Sequence, residues 1–153
     1  PRLRALVLVC TRANAESPEG VARRETVAQT ALAKGAEPIA DDMIGKLLAR
    51  NATSALRQKW HEIMRATPPR GVAAAARALG ARPDSLPTLR EIDLPTLVVA
   101  GEEDTITPLE ELRRIHDGVR GSRMVVIPGA AHLVPAEQPE AFAAELAAFL
   151  RGL

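Results

Sequence analysis

Three short runs of apolar residues stand out from an otherwise mixed sequence. They occupy residues 3–10, 95–101 and 122–128, and each is bounded by Gly, Pro or polar residues. Runs of this length with little polar alternation have the character of strands buried on both faces. Elsewhere the apolar spacing is helical. Ser17-Pro18-Glu19-Gly20 gives a start signal, Val21, Ala28 and Leu32 follow at near-helical spacing, and Gly35 supplies a stop. Further helices are predicted over residues 39–48, from Thr53 through Trp60 to Met64, and from Pro69 through Ala76 to Leu79, with Gly80 ending the last. After the second apolar run a helix is predicted over 108–117, with Pro108 in its first turn and Glu110 and Glu111 suited to the helix dipole. After the third, residues 139–150 form an Ala-rich amphipathic pattern with Phe142, Leu146, Phe149 and Leu150 on one stripe.

Strands alternating with helices predict an α/β fold, a parallel sheet covered on both faces. The long helical block between the first and second strands is a poor crossover, because such connections are usually far shorter. It reads as an inserted all-helical cap. The predicted organisation is therefore a first core strand in 1–13, a helical cap in 14–92 and a C-terminal core in 93–153. Met43, Leu47, Leu56, Trp60 and Met64 give the cap apolar, sulfur-bearing faces that either pack on each other or line a substrate pocket.

Composition narrows the classes. The chain has 153 residues, 46% of them hydrophobic, which is enough for a packed core. Its net charge of +1 is spread without a basic run, so nothing in it argues for nucleic acid or an anionic membrane as partner. A small molecule is the expected ligand. The apolar runs are far shorter than the roughly 20 residues a membrane-spanning helix needs. No small-residue cleavage site follows the first run, so it reads as a strand and not as a signal peptide. The single cysteine, Cys10, cannot form an internal disulfide, which suits a reducing cytoplasm. Tyr is absent while Ala and Arg abound, a bias that suggests a GC-rich bacterial genome. The chain opens on Pro1 and enters its first strand at once, so it is expected to begin inside a larger protein.

Two loops carry the candidate chemistry. Residues 101–108 and 128–135 each follow a predicted strand and each hold one titratable residue of note, Asp104 and His132. In open parallel sheets ligands bind beyond the carboxyl ends of the strands. The 28 residues separating Asp104 from His132 accommodate one helix and one strand, so the two side chains can meet at neighbouring strand ends. Alone, Asp104 reads as a turn residue before Pro108 and His132 as a structural histidine; together they read as an acid and a base. Gly129, Ala130 and Ala131 allow close approach to His132. Glu102 and Glu103 read as a solvated turn, His61 and His116 as surface residues, and Cys10 as a buried structural thiol. The three histidines lie far apart in sequence, so no metal site is predicted, and no Gly-rich phosphate loop follows a strand.

The segments Leu-Pro-Thr-Leu-Val-Val-Ala-Gly-Glu-Glu-Asp-Thr-Ile-Thr-Pro (94–108) and Ile-Pro-Gly-Ala-Ala-His-Leu-Val-Pro-Ala-Glu-Gln-Pro-Glu-Ala-Phe (127–142) resemble the C-terminal part of the α/β-hydrolase superfamily. The resemblance is to its carboxylesterase and 3-oxoadipate enol-lactonase-like branch. It implies a partial α/β-hydrolase core in which Asp104 orients the imidazole and His132 acts as general base and then acid. It implies no cofactor. Residues Met43, Leu47, Trp60, Met64 and Leu133 become candidate substrate contacts. The family order is nucleophile, acid, base, with a Ser in Gly-x-Ser-x-Gly upstream. None of Ser17, Ser54, Ser85 and Ser122 has that context. The expectation is an esterase or lactonase whose nucleophile lies in a missing N-terminal half or a partner chain, leaving these 153 residues inactive alone. The competing expectation is a non-catalytic module that assembles, with a partner or a second copy, through an exposed sheet edge.

Overall fold

The computed structural model describes residues 2–153, which fall into two compact units. One unit comprises residues 2–13, 46–51 and 85–153; the other comprises 14–45 and 52–84. The stretch expected as one helical block, 14–92, is therefore divided. Residues 46–51 and everything from Ser85 onward belong with the sheet: Leu47, Ala49 and Arg50 are hydrogen-bonded to His132, Glu137 and Glu103, and Leu89 is buried among sheet-covering residues.

The sheet unit is built on three parallel strands, β1 (Leu6–Val9), β2 (Thr96–Gly101) and β3 (Arg123–Ile127), in the order β1-β2-β3. Val9 pairs with Val99, and Val99 with Val125. The central strand meets the expectation of burial on both faces, every residue of β2 being buried. The outer two depart from it. Val7 is 36% exposed and Val126 38% exposed, as befits edge strands with a free side. Strand β1 is also shorter than the run at 3–10, since Leu3 lies outside the ladder and is exposed.

Alternation along β2 sends its side chains to two separate cores. Val98 and Ala100 pack with Leu112, Ile115 and Val119, which places α6 (Leu109–Gly118) over one face. Leu97 and Val99 pack with Cys10, Ile127, Val134 and, at the margin, Phe142 and Phe149. That second face is covered by α7 (Val134–Glu137) and α8 (Pro139–Arg151). Of the apolar stripe expected on α8, Phe142 and Phe149 face this core, whereas Leu150 is exposed. The short helices α5 (Leu86–Leu89) and α7 were not expected, because four residues carry too little period to be recognised.

The helical unit contains α1 (Pro18–Lys34), most of α2 (Glu37–Leu47), α3 (Ser54–Arg65) and α4 (Pro69–Gly80). All four match the predicted helices to within about two residues, the ordinary uncertainty of helix ends. Their starts are locally specified. The Ser17 hydroxyl accepts from Gly20 N at 3.0 Å and the Thr53 hydroxyl from Leu56 N at 3.2 Å, which satisfies amides with no partner in the first turn. Helices α1 and α4 meet through Ala28, Ala73 and Ala76, small side chains that let the backbones approach. Val21 and Leu32, the periodic positions of α1, point instead to solvent. No helix among the described residues is long and apolar enough to cross a membrane.

Candidate functional site

The loop after β2 is shaped around Asp104. The carboxylate Oδ1 accepts from the backbone N–H groups of Ile106 (2.8 Å) and Thr107 (2.9 Å), while Oδ2 accepts from the Thr107 hydroxyl at 2.5 Å. An Asp that bonds the amides two and three residues onward fixes its own turn, which is what the spacing before Pro108 provides. The loop after β3 lies against it. Gly101 has no space for a side chain, because a Cβ there would stand 1.9 Å from the Ala131 carbonyl oxygen. Gly129, at φ +64°, supplies the left-handed turn that leads into this close approach.

These two loops bring His132 Nδ1 to 2.9 Å from Asp104 Oδ2. A carboxylate only accepts, so Nδ1 carries the proton of this bond and Nε2 lies on the far side of the ring. The Asp104 side chain is almost wholly buried and that of His132 is partly open. Burial pushes the Asp104 carboxyl up, but hydrogen bonds from His132 and Thr107 outweigh it and hold the group below its ordinary range. It therefore remains an anion beside the ring.

Cys10 completes a cluster that the sequence did not reveal. Its backbone adopts φ +45° at the end of β1, uncommon for a residue other than glycine. Its buried thiol donates to the Ala131 carbonyl at 3.6 Å. Sγ and the ligating atoms of Asp104 and His132 all lie within 4.8 Å of one another, the one such trio among the described residues that could hold a metal ion. The donor set suits a protonated cluster better than a metal. Burial, aided by the nearby Asp104 charge, pushes the thiol up to about 12, and Nδ1 and Oδ2 are already bonded to each other.

The other sequence candidates separate. Leu47 and Leu133 flank the histidine: His132 N donates to the Leu47 carbonyl at 3.1 Å, and Leu133 is its chain neighbour. Met43 and Met64 lie in the helical unit, where they line an apolar cavity of about 330 Å³ together with Val27, Ile39, Val72 and Leu79. Trp60 does not line that cavity, and its buried Nε1 has no hydrogen-bond partner. His61 is engaged by Asp41 at 2.7 Å. The Ser122 hydroxyl donates to the His116 carbonyl and so accepts from the His116 ring, which leaves it no activated proton.

Glu102 and Glu103 are more than a solvated turn. Glu102 accepts from Gly129 N at 3.1 Å and Glu103 from Arg50 N at 3.1 Å, so each carboxylate ties two segments together. Two further residues escaped sequence reasoning, Thr107 and Glu137. Their only sequence signal is spacing, three residues after Asp104 and five after His132.

A sequence model of the Alpha/beta hydrolase family matches residues 2–145. The chain belongs to this family. Among curated relatives of this chain is a pimeloyl-(acyl-carrier protein) methyl ester esterase of Neisseria meningitidis serogroup B. It is 36% identical over 115 residues, which are 75% of the chain and 40% of the relative. The 3-oxoadipate enol-lactonase 1 of Acinetobacter baylyi is 34% identical over 98 residues, 64% of the chain and 36% of the relative. A solved thermophilic esterase from Thermogutta terrifontis superposes with a TM-score of 0.95 at 38% identity, covering 99% of the chain and 57% of the esterase. The chain thus resembles the esterase and enol-lactonase branch, and it spans well under two thirds of the length of these relatives.

Proposed function

We propose that this chain supplies the acid and base of a bacterial, cytoplasmic hydrolase acting on a small ester or lactone, and that the nucleophile comes from residues outside these 153. The observation that carries this reading is the 2.9 Å bond from His132 Nδ1 to a buried Asp104 that is itself held by Thr107. It leaves Nε2 as the proton acceptor. In the proposed reaction a serine hydroxyl adds to the substrate carbonyl carbon while Nε2 takes its proton. The ester C–O bond then breaks, and the imidazolium returns that proton to the departing oxygen. Water attacks the acyl-enzyme by the same route, restoring the serine and releasing the acid. Asp104 balances the imidazolium charge without itself taking the proton.

The helical unit reads as the cap of such an enzyme, and Leu47 and Leu133, which flank His132, as substrate contacts. Support for ester or lactone chemistry comes from the names of the relatives; support for a nucleophile elsewhere comes from the four serines, none of which is activated by a histidine. The decisive experiment assays the intact gene product against short-chain p-nitrophenyl esters and an enol-lactone. His132→Ala is expected to reduce kcat by about 10³-fold or more. Wild-type turnover in that variant would sink the reading. The chain alone is expected to be inactive, with activity restored by the complementary segment.

A second reading rests on the exposed outer sides of β1 and β3, marked by Val7 and Val126. A sheet with open edges can pair with another chain or a second copy. Sedimentation of the chain distinguishes this: a concentration-dependent dimer without any esterase activity in the intact gene product would favour it.

A further inference from the structure

One carboxylate, that of Glu137, holds the backbone on both sides of His132. Glu137 Oε1 accepts from the backbone N–H groups of Ala131 (2.9 Å) and Leu133 (3.2 Å), the residues on either side of His132. Its other oxygen, Oε2, accepts from Ala49 N at 2.6 Å. The His132 amide is taken separately, by the Leu47 carbonyl at 3.1 Å. Two backbone segments, 47–49 and 131–133, are thereby stitched together at three consecutive positions of the histidine loop. Glu137 closes the four-residue helix α7, and its own amide donates to the Leu133 carbonyl, so the carboxylate cannot drift from the loop it holds.

We propose that Glu137 is a positioning residue for His132, fixing the imidazole against Asp104 so that Nε2 points at the nucleophile. This rests on the acid–base reading above. Ala49 and Ala131 are buried, so their N–H groups cannot turn to water when the acceptor is removed. Bonds from amides to a charged carboxylate are stronger than those between neutral groups, and no neutral side chain of this length offers two acceptor oxygens. Releasing the amides on both sides of His132 frees the loop to rotate the ring away from Asp104 Oδ2. Glu137 touches neither the ring nor the carboxylate of the pair in any hydrogen bond described, so its effect is transmitted through the backbone alone.

The test uses the intact hydrolase with ¹⁵N-labelled histidine. Glu137→Gln keeps the length but replaces one acceptor by a donor, and Glu137→Asp keeps the charge but withdraws it by one methylene. The far-downfield resonance of the His132 Nδ1 proton, assigned by its loss in His132→Ala, reports the bond to Asp104 directly. In Glu137→Gln that resonance is expected to broaden or disappear, and kcat to fall by about 10²-fold with KM little changed. Glu137→Asp is expected to fall between Gln and wild type in both measures. A purely structural role would lower the melting temperature without moving the Nδ1 resonance or splitting kcat from KM. A sharp, unshifted resonance in both folded variants would overturn the proposal. Should Glu137→Gln fail to fold, the same criterion applies to Glu137→Asp. The resonance does not depend on turnover, so the outcome stands even if His132→Ala proves fully active and the acid–base reading itself fails.

Discussion

The two units of this chain are stabilised differently. In the sheet unit, β2 runs through the middle with Leu97, Val98 and Val99 completely buried, feeding a core on each face. In the helical unit the buried seam is alanine, and larger residues such as Val21, Leu32, Ile63 and Leu79 are exposed. A fully buried Leu or Val contributes about 1.5–3 kcal/mol over an exposed one, whereas alanine contacts contribute much less individually. The Asp104 and His132 loops hang from the unit whose core is built of larger, fully buried side chains. The proposed acid–base geometry would need such support, since a displacement of about 1 Å can cost 10²-fold in rate.

Substitutions can break this contrast. Leu97→Ala, at the centre of β2, is expected to cost about 4 kcal/mol in urea denaturation, because the cavity it leaves is enclosed by strand and helix on all sides. A cost below about 1 kcal/mol would show that the sheet core is looser than its burial implies. Gly101→Ala comes next, at about 3 kcal/mol, since the new methyl must displace the Ala131 carbonyl at 1.9 Å. It should also displace the His132 loop, detectable as a shifted His132 ring resonance.

A pH-dependent loss follows. The Asp104 carboxyl lies lower in the folded protein than in the unfolded chain, so the unfolded state binds the proton more readily. Its contribution to stability is complete above the unfolded value of about 3.9 and is lost as pH falls through the lower folded one. Asp104→Asn should flatten that part of the stability profile, measured by urea midpoints at successive pH values. A wild-type profile identical to that of the variant would contradict the proposed hydrogen-bond network. The smallest effect is expected from Leu32→Ala in α1, where a side chain already 46% exposed should cost within about 0.5 kcal/mol.

Much of the architecture was legible in the residues. Ser17 with Gly35 and Thr53 mark helix ends because capping is a local matter of one side chain and a few amides, and Pro69 and Pro139 mark starts because proline suits the first helical turn. The apolar runs marked strands because a strand covered on both faces needs nothing polar. Neither pattern indicates which strand lies in the middle, so the exposure of Val7 and Val126 could not be foreseen. Near the site, the candidate pair Asp104 and His132 came from order and spacing. Thr107, Glu137 and the approach of Cys10 did not, since each depends on contact between segments distant in sequence or on a side-chain direction that spacing alone does not fix.

The sequence by itself determined that strands and helices alternate, where most of them begin and end, and that an Asp and a His sit at the tips of two strands. These follow from short-range forces: backbone preference, capping and the period of apolar positions. Only the tertiary structure decided that Asp104 Oδ2 and His132 Nδ1 stand 2.9 Å apart, that Thr107 shares the carboxylate, and that Glu137 holds the histidine loop. Such distances are set when β2 and β3 pair in one register and Gly101 admits the neighbouring loop. That register is fixed by the packing of the whole sheet unit and by no single segment within it.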